Sequence, residues 1–253
     1  MKELNLKSIQ KEISISSGNS KLGKGVFNVS TLPGDKNHLI AKKDGTILCH
    51  TPGTCNGMCE TCFKYCYARN PALRYPDTRK AWEKNTILLR SDKDKFYNLI
   101  KAFLGIKRKV KDFRWNVSGE IETYEDLERM NALALECNTA KDGSTLWYGV
   151  YTKQYGFVLR FLKEHEHFAP NFVVSVSAWH NLVAIMKMFA DYTKEINIFA
   201  YDDGQADKLE QQILDHTPHC RAVGSNHRKT DFHCADCNWC YRRKGVVTAV
   251  YSH

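Results

Sequence analysis

The amino-acid sequence predicts an α/β fold: a partial (β/α) barrel ending in a cysteine-rich C-terminal tail. Three observations lead there. Apolar runs over 113–118, 146–152, 171–177 and 196–201 alternate with stretches of helical periodicity, the pattern of βα units feeding a parallel sheet. These four units, with one or two more in the first 90 residues, are too few for a complete eight-unit barrel in 253 residues. Beyond residue 215 the alternation stops and closely spaced cysteines take its place. A doubly wound open sheet is the other architecture that this periodicity allows.

In chain order, residues 1–54 read as an N-terminal cap, 55–215 as the barrel with its cysteine loop, and 216–253 as a metal-stapled tail. Within the cap, 17–25 is a loop of small and basic residues, and 27–31 and 45–50 are short strands. Turns at Pro33-Gly34-Asp35 and Pro52-Gly53 follow them. The cysteine loop shows no periodicity until about Tyr67. Ser91 to Asp94 form a capping box ahead of the stripe Phe96, Leu99, Ile100, Phe103 and Leu104, and Gly105 stops that helix. Thr123 and Asp126 make a second box, with Leu127, Met130, Leu133, Ala134 and Cys137 behind it. Helices follow the later strands around 157–162, 182–189 and 206–214, and 246–252 closes the chain as a strand.

The composition is 43% hydrophobic and 26% charged, with 6 prolines and 15 glycines, which excludes disorder and fibrous architecture. No apolar run is long enough for a membrane span, and the first residues lack a signal peptide's apolar stretch. A cytoplasmic protein without a membrane partner is expected. In that reducing setting ten cysteines point to thiolate–metal chemistry before disulfides. Thirty-seven basic against 28 acidic side chains give a formal charge of +9, which favours an anionic partner such as nucleic acid.

Cys55, Cys59 and Cys62 have the spacing C-x3-C-x2-C. Three thiolates on so short a loop can hold three irons of a 4Fe-4S cube and leave the fourth iron open. That spacing resembles the radical S-adenosylmethionine enzymes, in which the open iron binds S-adenosylmethionine; here Thr61 stands where they usually have an aromatic residue. Cys66 is a further candidate ligand, and its binding would close the cube. In the tail, Cys234, Cys237 and Cys240 have ferredoxin-like C-x2-C-x2-C spacing, with Cys220 available as the fourth ligand. Two clusters are therefore expected, zinc being the alternative in each group. Cys137 lies on an apolar helix face and reads as buried, and Cys49 has no assigned role.

The segments NSKLGKG, FNVSTLPG and the loop ending in Cys66-Tyr67-Ala68, followed by VSGEI, VYTK and the cysteine-rich tail, resemble the phage gene product 88-like family. Its members are regarded as distant relatives of the radical S-adenosylmethionine barrel proteins. The resemblance covers most of the chain and implies a barrel-like fold with iron–sulfur ligation, but no reaction. This chain differs in extra residues between Pro33-Gly34 and Cys55 and in a denser cysteine loop.

Strand ends supply the remaining candidates. Ser118-Gly119-Glu120 resembles the segment with which radical S-adenosylmethionine enzymes hold the methionine amino group, and a solvated turn is the plainer reading. Lys153 is placed to hold a carboxylate or phosphate, or to face water. Ser175 and Ser177 share one face and suit a ribose or a tight interior. Asp202 and Asp203 could bind a metal or the substrate, a strand-ending turn or cap being the more ordinary explanation, and His180 is a candidate acid–base residue. Lys107, Arg108, Lys109, Lys111 and Arg114, and in the tail Arg221, Arg228, Lys229, Arg242, Arg243 and Lys244 beside Trp239 and Tyr241, form basic stretches that suit nucleic acid or mere solubility. Two readings stand side by side: an enzyme fed by an electron donor, and a non-catalytic protein that binds nucleic acid or a partner. No catalytic residue is assigned.

Overall fold

One seven-stranded sheet organises the computed structural model of the chain, which describes residues 5–18, 22–107, 109–221, 233–237 and 239–251. Residues 19–21 of the basic loop, Arg108, Arg228, Lys229 and the Thr61 side chain fall outside that description.

Helix α1 (Leu6–Glu12) starts in a reciprocal cap between Asn5 and Ser8. Strand β1 (Ile15–Ser17) runs antiparallel to β2 (Val26–Val29), and β3 (Ile40–Ala41) and β4 (Ile47–Cys49) form a separate small hairpin. Then come α2 (Glu60–Lys64), α3 (Arg69–Arg74), α4 (Pro76–Ser91) and α5 (Lys93–Ile106). The regular units are β5 (Asp112–Trp115), α6 (Tyr124–Glu136), β6 (Trp147–Thr152), α7 (Tyr155–His165), β7 (Phe172–Trp179), α8 (Leu182–Met188), β8 (Ile196–Asp202) and α9 (Lys208–Asp215). The tail adds α10 (Cys234–Cys237), α11 (Trp239–Arg242) and β9 (Val247–Tyr251).

The sheet order is β1-β2-β5-β6-β7-β8-β9, parallel throughout except at the β1 edge. The order from β2 onward never reverses. Right-handed crossovers that all step the same way put their helices on one face. The core agrees: Phe103 of α5, Leu127 of α6, Phe161 of α7 and Ile185 of α8 pack in one cluster with Phe113, Val150, Val174 and Ile198 of the strands. Side chains alternate along a strand, so Asn28, Arg114, Tyr151, Ser177, Phe199 and Val250 belong to the opposite face. Pairing of Asn28 with Arg114, Ser177 with Phe199, and Tyr201 with Val250 keeps that face continuous across the sheet.

The Thr123–Asp126 capping box forms with both of its hydrogen bonds, and the stripe from Phe96 to Leu104 is buried. Several elements differ from the sequence reading. Ser91 closes α4 and makes no capping box with Asp94; Asp92 caps α5 by accepting from the Lys95 N–H at 2.9 Å. The cysteine loop contains a short helix, α2, and Gly105 lies inside α5, which ends one residue later. The sixteen-residue helix α4 was hidden because it buries Asn85, Thr86 and Leu89, a face with no apolar periodicity to see. The first strands are also more than a cap, since β1 and β2 join the same sheet as β9. Among the described residues no helix is long and apolar enough to cross a membrane.

Candidate functional site

At the carboxyl ends of the parallel strands the face opposite the helices opens into a cavity of about 200 Å³. This is where open α/β sheets hold their ligands. It exceeds the roughly 150 Å³ that suffices for benzene, so a metabolite-sized molecule fits. The long crossover from β2 to β5 supplies one wall through Cys55, Cys62 and Cys66. The tail supplies another through Cys220, Cys234, Cys237 and Cys240. Two cysteine groups more than 150 residues apart in sequence thus face one cavity, while Cys59 is exposed and outside it.

The turn after β5 sets the first charged group. Gly119 has φ +86°, and a Cβ there would lie 1.9 Å from Thr31 Oγ1. Only glycine fits. Thr31 and Thr54 share a hydrogen bond of 2.8 Å, and Thr54 Oγ1 accepts from the Glu120 N–H at 2.9 Å. The Glu120 carboxylate accepts from Thr152 Oγ1 at 2.6 Å and from the backbone N–H groups of Ile121 and Lys153, each at 2.8 Å. Burial pushes this carboxyl above its ordinary range, against the pull of Thr152 and Lys153. Glu120 therefore ties the end of β5 to the end of β6, a role that the short Ser-Gly-Glu motif did not reveal.

Lys153 places its Nζ 4.7 Å from the centre of the Trp179 ring, which itself stacks on Tyr201 at 4.3 Å. Burial alone would lower this lysine, but the Cys62 sulfur and Glu120 hold it raised and charged. Arg114 projects from the middle of β5 beneath Tyr241. Gly149 makes the room, because a Cβ on it would lie 3.0 Å from the Tyr241 ring. The Arg114 guanidinium sits 4.0 Å from the Tyr151 ring centre and donates to Tyr241 Oη at 3.4 Å.

Among the other sequence candidates, Ser177 lines the cavity, whereas Ser175 is buried but does not reach it. Asp202 and Asp203 each meet a histidine: His219 Nε2 lies 3.0 Å from Asp202 and His180 Nε2 lies 2.9 Å from Asp203. His180 also has φ +57°, an unusual backbone for a non-glycine residue. Three contributors to the site escaped the sequence reading: Tyr67, whose hydroxyl donates to the Val117 carbonyl; Tyr151; and the Trp179–Tyr201 stack. Aromatic strand residues read as core until the register shows which face they take.

The expected cofactors are corrected by the donor geometry. Among the described residues, only Glu128, Glu164 and His165 form a set of three or more metal-type donors within 4.8 Å of one another, and all three are exposed. That set contains no cysteine and does not suit a thiolate-ligated 4Fe-4S cube. Neither the two clusters nor S-adenosylmethionine chelated on an open iron is retained. Spacing along a loop limits how far apart sulfurs can lie, but it does not aim them at one point.

Burial shifts three of the cavity thiols upward: it raises Cys55 and Cys62, the latter against the pull of Lys153, and pushes Cys240 up to about 11. At pH 8 that leaves about one Cys240 in a thousand as thiolate, the reactive form. Iodoacetamide at pH 8 is expected to label exposed Cys59 first, with Cys240 labelled only slowly until the pH approaches 11. Peptide mass mapping over time checks this, and rapid labelling of Cys240 at pH 8 would contradict it.

No curated protein and no solved structure matches the chain. One family model, Gene product 88, does match, over residues 13–243, and so takes in both cysteine groups and every strand from β1 to β8. The chain belongs to the gene product 88 family of phage proteins.

Proposed function

We propose that this protein binds a metabolite-sized anion in the cavity, with the sheet curving around it as a partial (β/α) barrel. One observation carries the reading: the lining contains two cations, Arg114 and Lys153, against one carboxylate, Glu120. The difference leaves one positive charge in excess. An uncompensated charge among apolar walls is costly, and an anionic ligand would offset that cost. In this reading Lys153 and the Ser177 hydroxyl contact the ligand, and Glu120 keeps Lys153 in place. The raised thiols add neutral, polarizable wall surface.

A thermal-shift panel of small carboxylates, phosphates, amines and neutral sugars tests it. A ligand at a hundredfold over its Kd adds roughly 2.7 kcal/mol, which for a chain of this size is on the order of 5–10 °C. Anions are expected to give that shift, and Lys153→Met to reduce it. Stabilisation by amines or sugars but not by anions would defeat the proposal.

A second reading, single-stranded nucleic acid on the basic tail, has one observation in its favour: Arg243 stacks on Trp239 at 4.4 Å. Its neighbours are already compensated, Arg242 by Asp112 at 3.4 Å and Lys244 by Glu195 at 3.5 Å. An oligonucleotide included in the same panel separates the two, because it would compete with salt but not with a small anion in the cavity.

A further inference from the structure

We propose that Arg114 is the anchor of the anion site, and that it selects a ligand bearing a carboxylate or a phosphate. The proposal rests on the anion-binding reading above and specifies its chemistry. A guanidinium carries five N–H donors, yet Arg114 has a single hydrogen bond among the described residues, from Nη1 to Tyr241 Oη at 3.4 Å. That bond is long for an N–H to oxygen contact. Its Nε is sealed from solvent and has no acceptor. No described carboxylate pairs with it; Glu120 is occupied by Thr152 and two backbone N–H groups.

The surroundings hold the guanidinium in place without satisfying it. Tyr151 supports its face and Tyr241 covers Nη1. Arg114 lines the cavity on the sheet face of the other lining residues, and its Nε–Nη2 edge has no described partner. Two parallel N–H groups on that edge match two oxygens of one carboxylate or one phosphate, a fit that lysine's point charge cannot reproduce. Gly149 is part of the device: a Cβ in its place would lie 3.0 Å from the Tyr241 ring and push it off the arginine by a few tenths of an ångström.

The test reads the Arg114 Nε–H directly by nitrogen–proton correlation NMR, titrating the full chain with inorganic phosphate and, separately, with acetate. The peak is assigned by its loss in Arg114→Lys. If that variant does not fold, Tyr241→Phe assigns it by displacing the peak. On saturation the peak is expected to move downfield, and Arg114→Lys to weaken binding of the effective anion at least tenfold. Movement with phosphate alone identifies a phosphate ligand, and movement with acetate alone a carboxylate. If anions stabilise the protein but the Arg114 peak stays still, the anchor is wrong and the cavity reading survives. If no anion stabilises the protein and the peak stays still, the cavity reading has failed with it.

Discussion

Asn85→Leu is expected to lower the unfolding free energy by roughly 3–6 kcal/mol, because it strands three backbone groups of Ser14 and Ser30 at once. Asn85 is fully buried in α4. Its Oδ1 accepts from the Ser14 N–H at 2.8 Å, and its Nδ2 donates to the Ser14 carbonyl at 2.9 Å and the Ser30 carbonyl at 2.8 Å. Leucine has nearly the same shape and leaves no space for a water to replace those bonds. For a chain of this size the loss corresponds to a melting point lower by on the order of 10–20 °C. Urea titration checks it: the midpoint should fall with little change in slope. A loss below about 1 kcal/mol would mean that the backbone groups find other partners.

The consequence reaches the cavity. Helix α4 also offers Thr86 Oγ1 to the Leu32 N–H at 2.9 Å, and Arg90 donates to the carbonyls of Pro52 at 2.8 Å and Gly53 at 3.0 Å. These contacts hold the chain just before the cysteine loop, so loosening α4 should weaken anion binding as well as the fold.

Gly119→Ala is the second large effect, expected at roughly 2–5 kcal/mol. Part of it, about 1–2 kcal/mol, is the cost of a left-handed backbone at a residue with a Cβ. The remainder is overpacking, typically 1–3 kcal/mol, since the new methyl would lie 1.9 Å from Thr31 Oγ1 and 2.7 Å from Thr54 Oγ1. Gly143→Ala separates the two contributions: its φ is +82°, but nothing lies within 4 Å of the added methyl. Only the backbone cost should appear there. Equal losses in the two variants would show that the threonine pair moves aside freely. Because Thr54 also holds the Glu120 N–H, Gly119→Ala should in addition displace Glu120 and Lys153 and reduce anion stabilisation beyond what its lower melting point explains.

Much of the framework was legible along the chain. The apolar runs at 171–177 and 196–201 became β7 and β8, and Thr123 with Asp126 became a working cap, because such signals act between residues a few positions apart. Helix α4 was not legible, since the contacts of Asn85 are to Ser14 and Ser30, more than fifty positions away. The site divides the same way. Lys153 and Ser177 were picked out as strand-end groups, but Arg114 read only as part of a basic stretch, and Tyr151 as strand. The cysteine spacings were the strongest local signal and led to the cofactors that the donor geometry does not support.

The sequence by itself determined the α/β class, the βα rhythm, the family resemblance and the end of the sheet at which chemistry should gather. Each of these follows from local patterning or from recognisable short segments. Tertiary structure alone decided the strand order, the facing of the two cysteine groups across one cavity, and the isolation of Arg114 beneath Tyr241. Those depend on register and on pairings distant in sequence. A one-residue slip would turn Arg114 to the helix face and bring Phe113 or Trp115 to the cavity, and nothing within β5 itself specifies which register its neighbours will take.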